Sequence, residues 1–212
     1  MKKVVRNLII FSAIASSAQA VTLVDATFTT DTNYPNSSAG QFFLDETDAT
    51  WTINSGVTVT GGRYFIGMNS GSSSAPANWT IDGGGTLVIN RDGFLNLRLG
   101  NGSTSEIGTL TIKEGSSVLM TGATPSLSTS KSGSFVALEG VGSTLQWSGT
   151  WDAVNNRIIS DGGTDLTFSG GTLDISTNGG FTTATVVAAV PEPSATALLG
   201  IAGVTLILRR RR

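Results

Sequence analysis

Trp51-Thr52-Ile53-Asn54-Ser55-Gly56, Trp79-Thr80-Ile81-Asp82-Gly83-Gly84, Leu110-Thr111-Ile112-Lys113-Glu114-Gly115 and Leu166-Thr167-Phe168-Ser169-Gly170-Gly171 share one form: apolar, Thr or its equivalent, apolar, two variable residues, Gly. Their first residues lie 28, 31 and 56 apart, the last being twice 28. The alternation is that of a strand with one face buried, and Gly after turn-forming residues marks a corner. A second element interleaves with the first: Phe65-Ile66-Gly67-Met68-Asn69-Ser70-Gly71-Ser72, Leu97-Arg98-Leu99-Gly100-Asn101-Gly102-Ser103 and Val136-Ala137-Leu138-Glu139-Gly140-Val141-Gly142-Ser143. Loose repetition with a period near 28 residues is the signature of a stacked array, in which each coil buries its apolar face on its neighbours. Val, Ile, Leu and Phe then point inward, and Thr, Ser and Asn outward.

Working outward, short β-branched runs separated by Gly, Ser, Asn and Asp extend this pattern. They include Thr50–Ile53, Val57–Thr60, Tyr64–Ile66, Trp79–Ile81, Thr86–Ile89, Phe94–Leu99, Thr109–Ile112, Ser117–Met120, Phe135–Leu138, Thr144–Trp147, Asp165–Phe168 and Thr172–Ile175. No window carries apolar residues at i, i+3, i+4 and i+7 over three turns. The reading is all-β, with a parallel β-helix (β-solenoid) over residues 50–175. An antiparallel β-sandwich is the alternative that such strand spacing allows. Residues 21–49 are expected to form an amino-terminal cap, and residues 176–189 a linker. The repeats resemble those of autotransporter passengers and other surface β-helices, in which L-T-I-x-x-G and G-S-x-L segments recur.

Composition narrows the chemistry. The 212 residues include neither Cys nor His. Thiol nucleophiles, disulfides, Cys-based metal sites and His-based acid–base or zinc chemistry are therefore excluded. The net charge of −2 conceals an asymmetry: residues 21–190 hold six basic and 14 acidic residues, a net −8. Such a balance leaves no basic face for phosphates, so nucleic acid is not an expected partner.

The two ends read differently from the middle. Residues 1–20 begin Met1-Lys2-Lys3, carry an apolar run from Leu8 to Ala15 and finish Ala18-Gln19-Ala20. That is the layout of a secretory signal peptide, cleaved between Ala20 and Val21. Residues 190–212 contain Pro191-Glu192-Pro193, then a largely apolar segment to Leu208, then Arg209, Arg210, Arg211 and Arg212. Two prolines hold the motif extended. A helix over Ala195–Leu208 is short for a bilayer but inserts with tilt or local thinning, and the arginines act as a cytoplasmic membrane stop.

This tripartite tail resembles the PEP-CTERM sorting signal. The resemblance implies processing near Pro191-Glu192-Pro193 by an exosortase-like membrane protease-transpeptidase. It also implies transient residence in the inner membrane, followed by delivery to the cell surface or extracellular matrix, with exopolysaccharide as a possible associate.

In the middle, chemistry competes with packing as the reason for the acidic and aromatic residues. Asp161 with Asp165 could serve as an acid–base pair, and Asp152, Asp161, Asp165 and Asp174 could collect calcium. Most acidic residues, however, adjoin Gly or Asn, where bonding to turn backbone accounts for them. Trp51, Trp79, Trp147, Trp151 and Tyr64 could offer faces to sugar rings. The Leu110 and Leu166 at matching repeat positions point instead to core packing. The expectation is an exported, non-catalytic protein without cofactor or metal, structural or adhesive in an exopolysaccharide layer. A polysaccharide-degrading β-helix or a carbohydrate-binding module on the same tail is the alternative.

Overall fold

The computed structural model describes residues 21–34, 41–44, 48–67, 76–90, 97–100, 107–122, 127–129, 131–160 and 163–190. The expected signal peptide and the tail from Pro191 onward lie outside the described residues. Strands come in threes. The first rung is β1 (Val21–Thr22), β2 (Ala26–Phe28) and β3 (Thr32–Asn33), and the second is β4 (Gln41–Leu44), β5 (Asp48–Ile53) and β6 (Thr58–Thr60). The third is β7 (Arg63–Ile66), β8 (Ala77–Asp82) and β9 (Thr86–Ile89). β10 (Leu97–Leu99), β11 (Gly108–Ile112) and β12 (Ser117–Met120) follow, then β13 (Leu127–Thr129), β14 (Phe135–Glu139) and β15 (Thr144–Ser148).

Each strand pairs with the strand three further along, always in parallel, so the chain winds through three sheets. One sheet is β1-β4-β7-β10-β13; the second contains β2-β5-β8-β11-β14, and the third β3-β6-β9-β12-β15. This is a parallel β-solenoid, and the antiparallel sandwich is set aside. No cis peptide bond is present among the described residues, and no helix there is long and apolar enough to cross a membrane.

Inward columns are apolar from rung to rung. In the second sheet, Ala49, Trp79, Leu110, Val136 and Leu166 stand in register, beside Trp51, Ile81, Ile112 and Leu138. In the third, Val59, Leu87, Val118 and Leu145 do the same. All of these are buried, each large side chain contributing about 1.5–3 kcal/mol. Outward positions of the second sheet hold Thr50, Thr80 and Thr111, so the Thr of the repeat marks the solvent face. The Gly of the repeat sits at the corner between the second and third sheets. There Val57 N–H donates to Asn54, Ser116 N–H to Lys113 and Ser143 N–H to Gly140, closing four-residue turns. The third residue of each is Gly56, Gly115 or Gly142, at φ of 80°, 72° and 86°. Other residues reach that conformation only with strain, which is why the spacing is kept.

The repeat is less regular than its sequence. Asp48 and Asn78, 30 residues apart, are partners across β5 and β8, whereas Thr109 and Phe135, 26 apart, are partners across β11 and β14. Trp51 and Trp79, equivalent in the repeat, are not in one column: Trp51 faces Ile81, and Trp79 faces Ala49. The offset is two residues, and an even shift keeps both indoles on the inner face.

Two expected segments take other roles. Residues 21–49 do not form a separate cap: β1, β2 and β3 are themselves the first rung, in register with the second. Their short polar runs, Val21-Thr22 and Thr32-Asn33, carry too little alternation to be recognised alone. Residues 176–189 are not a free linker. After β15 come the hairpin β16 (Thr150–Asp152) and β17 (Arg157–Ile159), then β18 (Thr164–Ser169), β19 (Thr172–Asn178) and β20 (Phe181–Val187). β18 continues the second sheet parallel to β14, but β17 lies antiparallel to it. β20 pairs antiparallel with both β15 and β19, ending the third sheet in a hairpin. Thr182, Ala184 and Val186 of β20 are buried. Its run of Thr, Ala and Val reads as polar linker because the apolar members are small.

Candidate functional site

Two places bear on function: the exit of the tail and the outer surface of the solenoid. β20 runs opposite to β15, so it ends beside the start of β15, at the glycine corner. Gly142 N–H donates to Val186 O at 2.7 Å and Val186 N–H to Ser143 O at 3.0 Å, holding β20 almost to its last residue. Val187 opposes Thr172 in the β19–β20 ladder. Only Ala188, Ala189 and Val190, all exposed, separate this ladder from Pro191. Of the sequence-derived site residues, Val21 opens β1. Ala20, Pro191, Glu192, Pro193 and Arg209–Arg212 lie outside the described residues.

The tryptophans and Tyr64 pack inward. Trp51, Trp79, Trp147 and Tyr64 are buried, and Trp151 is half-buried 6.3 Å from Trp147. Tyr64 stacks on Trp79 at 4.6 Å and 25°, and on Phe42 at 5.2 Å and 11°. Trp51 meets Trp79 edge-on at 5.2 Å and 88°. Stacked rings are concentrated in the first three rungs, whereas the next two are filled mainly by Leu, Ile, Val and Met, with Trp147 in the fifth. Burial raises the Tyr64 hydroxyl well above its ordinary pKa, with the Tyr34 charge adding to the effect. That hydroxyl donates to Gly61 O at 3.1 Å.

Several of the described carboxylates bind backbone or neighbouring side chains; Asp161 lies outside the described residues. Asp25 accepts from Thr50 N–H and Asp31 from Thr58 N–H, both at 2.8 Å, tying the first rung to the second. Asp82 accepts from Gly83 N–H at its corner. Asp152 caps the β16–β17 turn, accepting from Val154 N–H, Asn155 N–H and Asn155 Nδ2. The Asn155 side chain leads in lowering its pKa. Glu139 pairs with Lys113, and Asp165 with Arg157 at 3.6 Å. Among the described residues no three acidic side chains converge to hold a metal ion. An open depression of about 320 Å³ lies against Asp31, Thr32, Asn33, Thr58 and Thr60.

Comparison with known families adds the decisive observation for the tail. Residues 189–212 match the PEP-CTERM protein-sorting motif. The chain carries a PEP-CTERM sorting tail. The motif implies an exported protein, anchored at the membrane before exosortase processes it. No curated protein and no solved structure matches the chain. The PEP-CTERM match begins at residue 189, two residues after β20 ends, so signal and solenoid nearly abut.

Proposed function

We propose that this exosortase substrate is a non-catalytic surface or matrix protein, with a structural or adhesive role in an exopolysaccharide layer. The observation that carries the reading is the use of the acidic side chains. Asp25, Asp31, Asp82 and Asp152 accept backbone N–H groups, and Glu139 and Asp165 are paired with cations. A glycosidase needs two carboxylates facing each other across a cleft, about 5 to 9.5 Å apart. Buried tryptophans likewise argue against a displayed aromatic ladder. What the solenoid offers instead is a long hydroxyl- and amide-rich surface, Thr50, Thr80 and Thr111 among its outward positions.

The test is to incubate the purified protein with exopolysaccharide from its native envelope, and to follow co-sedimentation and reducing ends together. Co-sedimentation without new reducing ends is expected. Release of reducing ends that disappears in an Asp165→Asn variant would overturn the reading in favour of the enzyme.

A further inference from the structure

Among the described residues seven large apolar side chains are substantially exposed: Val24 in the first rung, Val154 and Ile159 in the β16–β17 hairpin, and four more that lie together. Val141, Phe168, Val187 and Val190 are 39%, 40%, 37% and 87% exposed. All four belong to the segments that meet where β20 leaves the fold. Val141 lies in the Gly140–Ser143 turn, whose Gly142 N–H holds Val186 O at 2.7 Å. Phe168 ends the inward column Ile112–Leu138–Phe168, because β17 beyond it pairs with β18 only at Thr164 and Asp165. It is followed by Gly170 and Gly171. A Cβ on Gly170 would lie 2.9 Å from Gly140 Cα, and one on Gly171 would lie 2.1 Å from Val187 O. The Val141 turn and the ends of β18 and β20 are therefore packed backbone to backbone at one corner. Glu139, beside this corner, is paired with Lys113, and Glu114 lies one rung back toward the amino terminus.

We infer that this corner is a membrane-docking surface that seats the solenoid, β20 end down, on the lipid–water interface while the tail is processed. The inference rests on the reading of the tail as membrane-inserted. Ala195, where the apolar segment begins, is eight residue steps beyond Val187. Fully extended they reach about 27 Å, and the polar layer of one leaflet takes about 6 Å of that. The body cannot stand far from the bilayer, and the face nearest the exit must meet it. That face carries Val141, Phe168, Val187 and Val190. A short tether also raises the local concentration of the surface to millimolar or above, so a patch too weak to bind lipid by itself remains engaged. The device orients the molecule: the first rung points away from the membrane, and Pro191 is presented beside the headgroups.

The absence of cysteine makes the test direct. The full chain is reconstituted in vesicles of phosphatidylethanolamine and phosphatidylglycerol containing nitroxide-labelled lipid. A fluorophore is attached to a single thiol in Val141→Cys, Val190→Cys, Thr27→Cys or Leu206→Cys. Thr27 in β2 is five strand spacings from β18, about 24 Å. Quenching is expected at 206, 190 and 141, and none at 27. Quenching at 206 without quenching at 141 overturns the docking surface while leaving the inserted tail in place. It would assign the patch to a protein partner or a second copy, neither being what we infer. Equal quenching at 141 and 27 also overturns it, since the body would then lie on its side. No quenching at 206 removes the tail reading and the inference with it.

Discussion

Replacing three buried tryptophans with phenylalanine isolates the contribution of a single N–H group. Trp51 Nε1 donates to Val24 O at 3.1 Å, and Trp147 Nε1 donates to Thr150 O at 3.2 Å. Trp79 is fully buried, and its Nε1 has no partner. All three changes remove a similar piece of ring from a packed core, so to first order that loss cancels in the comparison. What differs is the donor. At 51 and 147 a hydrogen bond worth about 0.5–1.5 kcal/mol is lost. At 79 an unsatisfied donor costing about 1–3 kcal/mol is removed instead. Trp79→Phe is therefore expected to be less damaging than Trp51→Phe by about 1.5–4.5 kcal/mol. With an m-value of about 2 kcal/mol/M for urea, the midpoints differ by about 0.7–2 M. The assay is equilibrium unfolding of residues 21–190 in urea, followed by far-ultraviolet circular dichroism, with m checked for constancy because stacked repeats can lose cooperativity. If Trp79→Phe unfolds at the same urea concentration as Trp51→Phe, or lower, the assignment of an orphaned indole N–H inside the third rung is wrong.

Changing Pro191, Glu192 and Pro193 together to Ala should leave membrane insertion intact but strand the chain, uncleaved, at the membrane. Normal tail removal in that variant, read by mass spectrometry, would show the motif to be only an anchor. The mature amino terminus should be Val21, and recovering Met1–Ala20 on exported protein would refute the cleavage site. Gly56→Ala, with open space around the added Cβ but φ of 80°, should cost about 1–2 kcal/mol. Gly108→Ala, whose Cβ would fall 2.2 Å from Ile66 O, should cost several times more and show it as a much lower urea midpoint. The raised pKa of Tyr64 means that folding favours its neutral form. Its contribution is complete below the ordinary value of 10.0 and is lost as pH rises through the higher folded value. Tyr64→Phe should cost about 1 kcal/mol at neutral pH, through the lost bond to Gly61, yet reduce the loss of stability above pH 10. Identical alkaline unfolding curves for the two proteins would contradict this.

Alternation and glycine spacing were enough to specify strand faces and corners without any knowledge of the fold. Apolar-Thr-apolar places Leu110 and Ile112 inside and Thr111 outside by the two-residue period of a strand, and Gly115 at the corner by its positive φ. The sorting tail was legible for a similar reason: two prolines, an apolar run and four arginines are local chemistry, read in order along the chain. Pairing was not local. Which residue lies beside Trp51 depends on how many residues the intervening loop consumes, and loops of unequal length gave Ile81 rather than Trp79. β1, β3 and β20 are too short or too small-sided to announce themselves; they are strands because a neighbouring rung supplies their hydrogen bonds and covers one face. The closeness of the sorting tail to the folded body, and the apolar corner from which it leaves, follow from that pairing. They depend on β20 turning back antiparallel along β15, a choice settled by the open end of the solenoid and not by the residues of β20 themselves.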